Sequence, residues 1–196
     1  MRGSLRTKSI ISALKTFVSD NKKVIICASI IFVLGITVGI ISAFKSVSED
    51  GFDRVARADM EFGAVKVFFI SLLALLGCYA VFLIAGINDK TVFLIVIPFF
   101  ALGFATGWYS VALIGRYETT GLINLLLIYL PFFLCTFCCF VLCATVTVAS
   151  DCGCKNGGLK PSFVNTLKIF AINVAIAFVL FVIVGSIFKV IVVTLY

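Results

Sequence analysis

The sequence contains no histidine, and five long stretches of it contain no Asp, Glu, Lys or Arg. Those stretches are Val24–Phe44, Val67–Ile87, Thr91–Gly115, Leu122–Ala149 and Ile169–Phe188. Together the two absences exclude most chemistry. Without imidazole, a Ser or Cys nucleophile lacks its usual base. There is no Walker phosphate loop, no His-Glu-x-x-His zinc helix, and no pair of carboxylates inside one apolar run. Enzymatic activity is not expected, nor is a cofactor or a resident metal. Proton relays, ion pathways and voltage sensors place ionisable groups within the membrane. None is available in these runs, which disfavours proton-coupled transport.

What is present is apolar surface. The chain is 62% hydrophobic with a mean hydropathy of +1.23. Each uncharged run meets the roughly 20 helical residues needed to cross a bilayer core about 30 Å thick. No soluble domain of 196 residues buries that much apolar surface. The runs are continuous rather than alternating, which excludes a transmembrane barrel. In lipid only a helix satisfies its own backbone. The expected fold is therefore all-α, a polytopic transmembrane bundle of five spans. Residues 1–23 form a basic cytoplasmic segment, and 24–196 a single transmembrane domain.

The net charge of +7 follows from orientation rather than from nucleic-acid binding. Arg2, Arg6, Lys8, Lys15, Lys22 and Lys23 precede the first span, with Asp20 the only acid among them. A basic flank stays in the cytoplasm and meets anionic lipid. Alternating the sides gives ten basic residues inside and six outside, which places the C-terminus outside. The first span exceeds the apolar core of a cleaved signal peptide, and Ser42-Ala43-Phe44 is a poor cleavage site, so a retained anchor is expected. Before it, Ile10, Ile11, Leu14, Phe17 and Val18 recur at helical spacing. They suit either a helix lying on the inner leaflet or an unstructured basic tail.

The polar segments organise the rest. Lys45–Lys66 carries an apolar stripe of Phe52, Val55 and Met60 flanked by Asp53 and Asp59. It reads as an outer amphipathic helix that contacts a partner, or as a solvated connector. Ile87–Lys90 and Arg116–Gly121 read as tight turns, and Ser150–Lys168 as a flexible cytoplasmic loop. Pro131 interrupts the long fourth span. It implies a kinked helix, or a re-entrant segment followed by a crossing. No internal repeat is evident.

Small residues mark packing faces. Gly35 and Gly39, extended by Ala43, form one small-xxx-small stripe, and Gly103 with Gly107 forms another; Gly121 and Pro131 follow. The stripes serve internal packing, a homo-oligomer or a partner. Asn124, Thr136, Thr145, Thr147 and Asn173 are the polar side chains at depth, suited to interhelical hydrogen bonds. Cys135, Cys139 and Cys143 share a helical face with Cys138 beside them, but their spacing matches no standard metal site.

The run from Gly103-x3-Gly107 through Gly121 to Leu130-Pro131, with Phe32-x2-Gly35-x3-Gly39, resembles the stage II sporulation protein M family of bacterial membrane proteins. The resemblance covers the whole chain in length, span number and the outer segment after the first span. It implies a non-enzymatic scaffold for engulfment during endospore formation, organising membrane-anchored peptidoglycan-degrading partners, stage II sporulation proteins D and P. Many members follow the proline with a polar His-Gly pair and a nearby Glu; Phe132, Phe133 and Thr136 stand there instead. The competing reading from the residues is a small channel or carrier for a neutral solute, lined by Thr and Asn.

Overall fold

The computed structural model describes residues 16–46, 64–87, 89–153 and 159–184. The described residues are helical, with no strand among them. The helices are α1 (Lys22–Ser46), α2 (Ala64–Ala85), α3 (Val96–Asn124), α4 (Leu130–Gly153) and α5 (Leu159–Phe178). Five of the helical segments are long and apolar enough to cross a membrane. The fold is an all-α polytopic bundle.

Ring contacts give the direction of each crossing. Phe82 on α2 meets Phe99 on α3 with centroids 6.1 Å apart, so this pair is antiparallel. It is joined by a turn at Gly86 and Ile87 and a 3₁₀ segment, Asp89–Ile95. Thr91 Oγ1 closes the turn by donating to the Ile84 carbonyl at 3.1 Å, one of the carbonyls left over at the end of α2. Pro98 falls in the first turn of α3, where its missing N–H costs no intrahelical bond.

Tyr109 stacks on Tyr129 at 5.6 Å, and Phe99 meets Phe137 at 5.7 Å. A straight helix would hold residues twenty positions apart about 30 Å from one another. The chain therefore reverses near residue 119, within the segment expected to turn, although backbone helix is assigned throughout Val96–Asn124. α4 then pairs with α5 in the opposite sense, through Thr136 with Asn173 and Phe132 with Phe181. Odd-numbered helices run one way and even-numbered helices the other.

The break at Pro131 is a π turn, not a reversal. Leu125–Tyr129 is π-helical, and the Leu130 N–H donates five residues back, to the Leu125 carbonyl. The wider turn accommodates a proline that cannot donate and whose ring crowds the preceding carbonyl. Ring pairings continue past Pro131 in the same direction, from Tyr129 to Phe140, which removes the re-entrant alternative. A second π segment, Val179–Val184, ends the described part of the last span. It packs on the first through Tyr129 and Phe181, 5.5 Å apart.

Two boundaries differ from expectation. Much of the loop expected over Ser150–Lys168 is helix: α4 runs to Gly153 and α5 starts at Leu159. Charge marks where lipid ends, but a helix continues beyond it, and Pro161 in the first turn of α5 is tolerated there. Among the described residues the fifth apolar span accordingly begins at Phe163, earlier than the expected Ile169; the expected end at Phe188 lies outside the described residues. At the other end, residues 16–20 are helical and lead through Asn21 into α1, whose Ile25 N–H bonds the Asn21 carbonyl.

Candidate functional site

The closest helix contact is built from glycine. α1 makes most of its contacts with α3, and the two run parallel. A Cβ on Gly35 would lie 2.5 Å from the Phe100 carbonyl oxygen, and one on Gly39 would meet the carbonyl of Phe104. Reciprocally, a Cβ on Gly103 would meet the Phe32 carbonyl, and one on Gly107 that of Ile36. Each carbonyl comes from the residue three before the matching glycine on its own helix. It stands so close to where a Cβ would sit that only glycine fits, and Cα–H···O contacts at such crossings contribute about 0.5–1 kcal/mol each.

This symmetry exposes a repeat that the span-by-span reading missed. Phe32-x-Leu34-Gly35-x3-Gly39 and Phe100-x-Leu102-Gly103-x3-Gly107 share one pattern. The copies differ in surroundings: Leu34 is 56% exposed on the lipid-facing side, whereas Leu102 is buried in the core. Because the two stripes occupy one another, neither is open to a second copy of the chain. Gly121 is buried in α3, and Pro131 is half-buried at the start of α4.

A polar chain crosses the middle of the bundle. Thr136 Oγ1 donates to Asn173 Oδ1 at 3.1 Å, and Asn173 Nδ2 donates to Tyr79 Oη at 3.2 Å. Asn173 and Thr136 are both 0% exposed. In hydrocarbon an amide must find partners within the protein, and here α2, α4 and α5 supply them jointly. Sequence reasoning picked out Thr136 and Asn173 but not Tyr79; a lone phenol deep in an apolar span was the available signal. Thr106 and Thr147 instead donate to carbonyls four residues back, Leu102 and Cys143, and Thr145 to Leu142. Asn124 departs from expectation: its Oδ1 is buried with no partner.

Phe82, Phe99 and Phe140 interlock beside this chain, with centroids 5.3 to 6.1 Å apart and rings set edge to face. From them toward the chain reversal near residue 119 lies a cavity of about 170 Å³ between α2 and α3, backed by α4. Small side chains (Ser71, Ala74, Ala101 and Ala105) open it, and Phe132 and Phe133 help to form its floor.

Among the described residues no group of three His, Cys, Asp or Glu is placed to hold a metal. Cys139 and Cys143 are buried, Cys135 is half-buried and Cys138 is exposed. The partner-contact residues Phe52, Asp53, Val55, Asp59 and Met60 lie outside the described residues.

No family model, curated protein or solved structure matches the chain.

Proposed function

We propose that this protein is an integral membrane scaffold, a bundle whose work is done by docking other membrane proteins. The observation that carries the reading is a bundle stopped across its middle. Phe82, Phe99 and Phe140 close the space between α2, α3 and α4 beyond the deep end of the cavity, and each is at most 1% exposed. The polar groups that a solute path would need are spent on internal bonds: Thr136 and Asn173 on each other, Thr106 and Thr147 on their own helices. That arrangement favours the scaffold over the channel or carrier of neutral solutes.

The biological setting rests on the resemblance to the stage II sporulation protein M family. On that reading the protein lies in a bacterial cell membrane and takes part in engulfment during sporulation. Its partners are membrane-anchored peptidoglycan-degrading proteins of the stage II sporulation D and P type. The ten-to-six distribution of Lys and Arg supports a cytoplasmic N-terminus and an external C-terminus.

Purification from membranes solubilised in mild detergent, paired with a liposome flux assay, tests the proposal. Recovery of cell-wall hydrolases with the protein, and no flux of small neutral solutes, is the expected result. Robust flux by the protein alone would overturn the scaffold in favour of transport. A source genome without an endospore programme would remove the sporulation setting and leave the scaffold standing.

A further inference from the structure

We propose that the cavity between α2 and α3 is a binding site for one acyl chain of a bilayer lipid, taken from the leaflet that holds the chain reversal near residue 119. This is independent of the scaffold role and rests on four features of the cavity.

The first is composition. Among the described residues no charged side chain lines it, and the polar side chains on its wall are Ser71, Cys78, Tyr109 and Tyr129. An apolar cavity of comparable size stays dry and accepts hydrocarbon, so water is not the occupant. The second is access. Ile70, Ala74 and Ala101 border it and are exposed on the outer surface of the bundle. In a five-span membrane protein that surface meets lipid tails, so the entrance opens onto hydrocarbon.

The third feature is depth. On α3 the wall runs from Ala101, near the middle of the Thr91–Gly115 span, to Tyr109 on the side of the reversal. Eight residues of helix rise about 12 Å, close to the roughly 15 Å half-thickness of a bilayer core. The cavity thus extends over one leaflet and stops near the midplane, where an acyl chain ends. The fourth is polarity along that axis. The hydroxyl-bearing residues Ser71, Tyr109 and Tyr129 cluster at the end toward the reversal, while Leu102 and Phe140 line the deep end. An amphiphile with its ester region outward and its chain end inward has the same gradient.

The test is photocrosslinking of the full chain, reconstituted in phosphatidylglycerol vesicles that contain a phospholipid with a diazirine midway along one chain. Adducts are mapped by peptide mass spectrometry. The expected result is about tenfold enrichment per residue on Ala74, Ala105 and Phe133 over the lipid-facing Leu73, Ile30 and Leu126. That enrichment corresponds to roughly 1.4 kcal/mol of retention. Ala105→Phe from the α3 wall, or Ala74→Phe from the α2 wall, should fill the space and abolish the enrichment. Adducts spread evenly over cavity and lipid-facing positions would overturn the site. So would enrichment that survives both substitutions in folded protein. The map on the unaltered chain decides the matter even if a filled variant fails to fold.

Discussion

Gly35 and Gly103 stand against each other where α1 crosses α3: a Cβ on either would lie 3.1 Å from the other's Cα. Lipid offers helices no hydrophobic drive to associate, so close backbone approach is what holds α1 to the bundle. Most of the other face of α1, including Ile30, Val33 and Leu34, is exposed on the lipid side. The first span is attached mainly along this one seam.

Gly39→Leu and Gly107→Leu should therefore each force the seam apart. Overpacking a tight site costs typically 1–3 kcal/mol, and here the neighbour is backbone, which cannot rotate away. Gly77 on α2 is the control, because a Cβ there meets nothing within 4 Å. Thermal unfolding in detergent should show a large loss for the first two variants and almost none for Gly77→Leu. Equal tolerance of all three would remove the seam as a structural determinant.

The polar chain at the centre makes a separate prediction. Asn173→Leu deletes two hydrogen bonds and strands the Thr136 hydroxyl, an expected loss of about 1–3 kcal/mol. Tyr79→Phe removes one bond and should cost nearer 0.6 kcal/mol, the average for such bonds in membranes. The double variant should be less destabilised than the sum, because the two residues share one bond. Strict additivity in a denaturation series would show that Tyr79 and Asn173 act independently.

Exclusion of charge from lipid made the five spans legible without coordinates, and the glycine stripes were visible as stripes. Which surface each stripe meets was not legible, because small-xxx-small spacing is the same for a neighbouring helix and for a second copy. The clue that went unused was the shared Phe-x-Leu-Gly-x3-Gly pattern at positions 32–39 and 100–107. Pro131 announced an irregular helix, but the choice between a kink, a reversal and a π turn depended on tertiary contacts of Tyr129. The second π segment has no proline to announce it; Phe181, buried between Tyr129 and Phe132, is its nearest structural correlate. The cavity was illegible for a similar reason, since Ala74 and Ala105 are ordinary residues until two helices splay around them.

Topology gives the third prediction. Reporter thiols at Ser48 and Ser162, with Cys152 and Cys154 replaced by Ser, are challenged with a membrane-impermeant thiol reagent. The remaining cysteines lie within the apolar spans, out of reach of a reagent that cannot enter the bilayer, so they contribute little background. The Ser48 position should label in intact cells and the Ser162 position only after permeabilisation. Labelling of the Ser162 position from outside would invert or break the proposed orientation.

The last prediction concerns the segment Lys45–Lys66, external in the proposed orientation, where Asp53 and Asp59 flank an apolar stripe of Phe52, Val55 and Met60 in sequence. We take it as the contact surface for the external partner, and its competitor is simple adsorption of the stripe to the outer leaflet. Reversing charge separates the two. Asp53→Lys combined with Asp59→Lys sets unpaired or like charges against a protein partner, at a cost that lowers its affinity. The same change adds four units of positive charge, and Lys near an anionic surface gains about 1 kcal/mol each, so adsorption would strengthen. Recovery of partner with the double variant should therefore fall about tenfold or more, the response to a loss of roughly 1.4 kcal/mol, while binding of the isolated segment to anionic vesicles rises. Undiminished recovery of partner would exclude these carboxylates from the interface and leave the lipid surface as the ligand of the stripe.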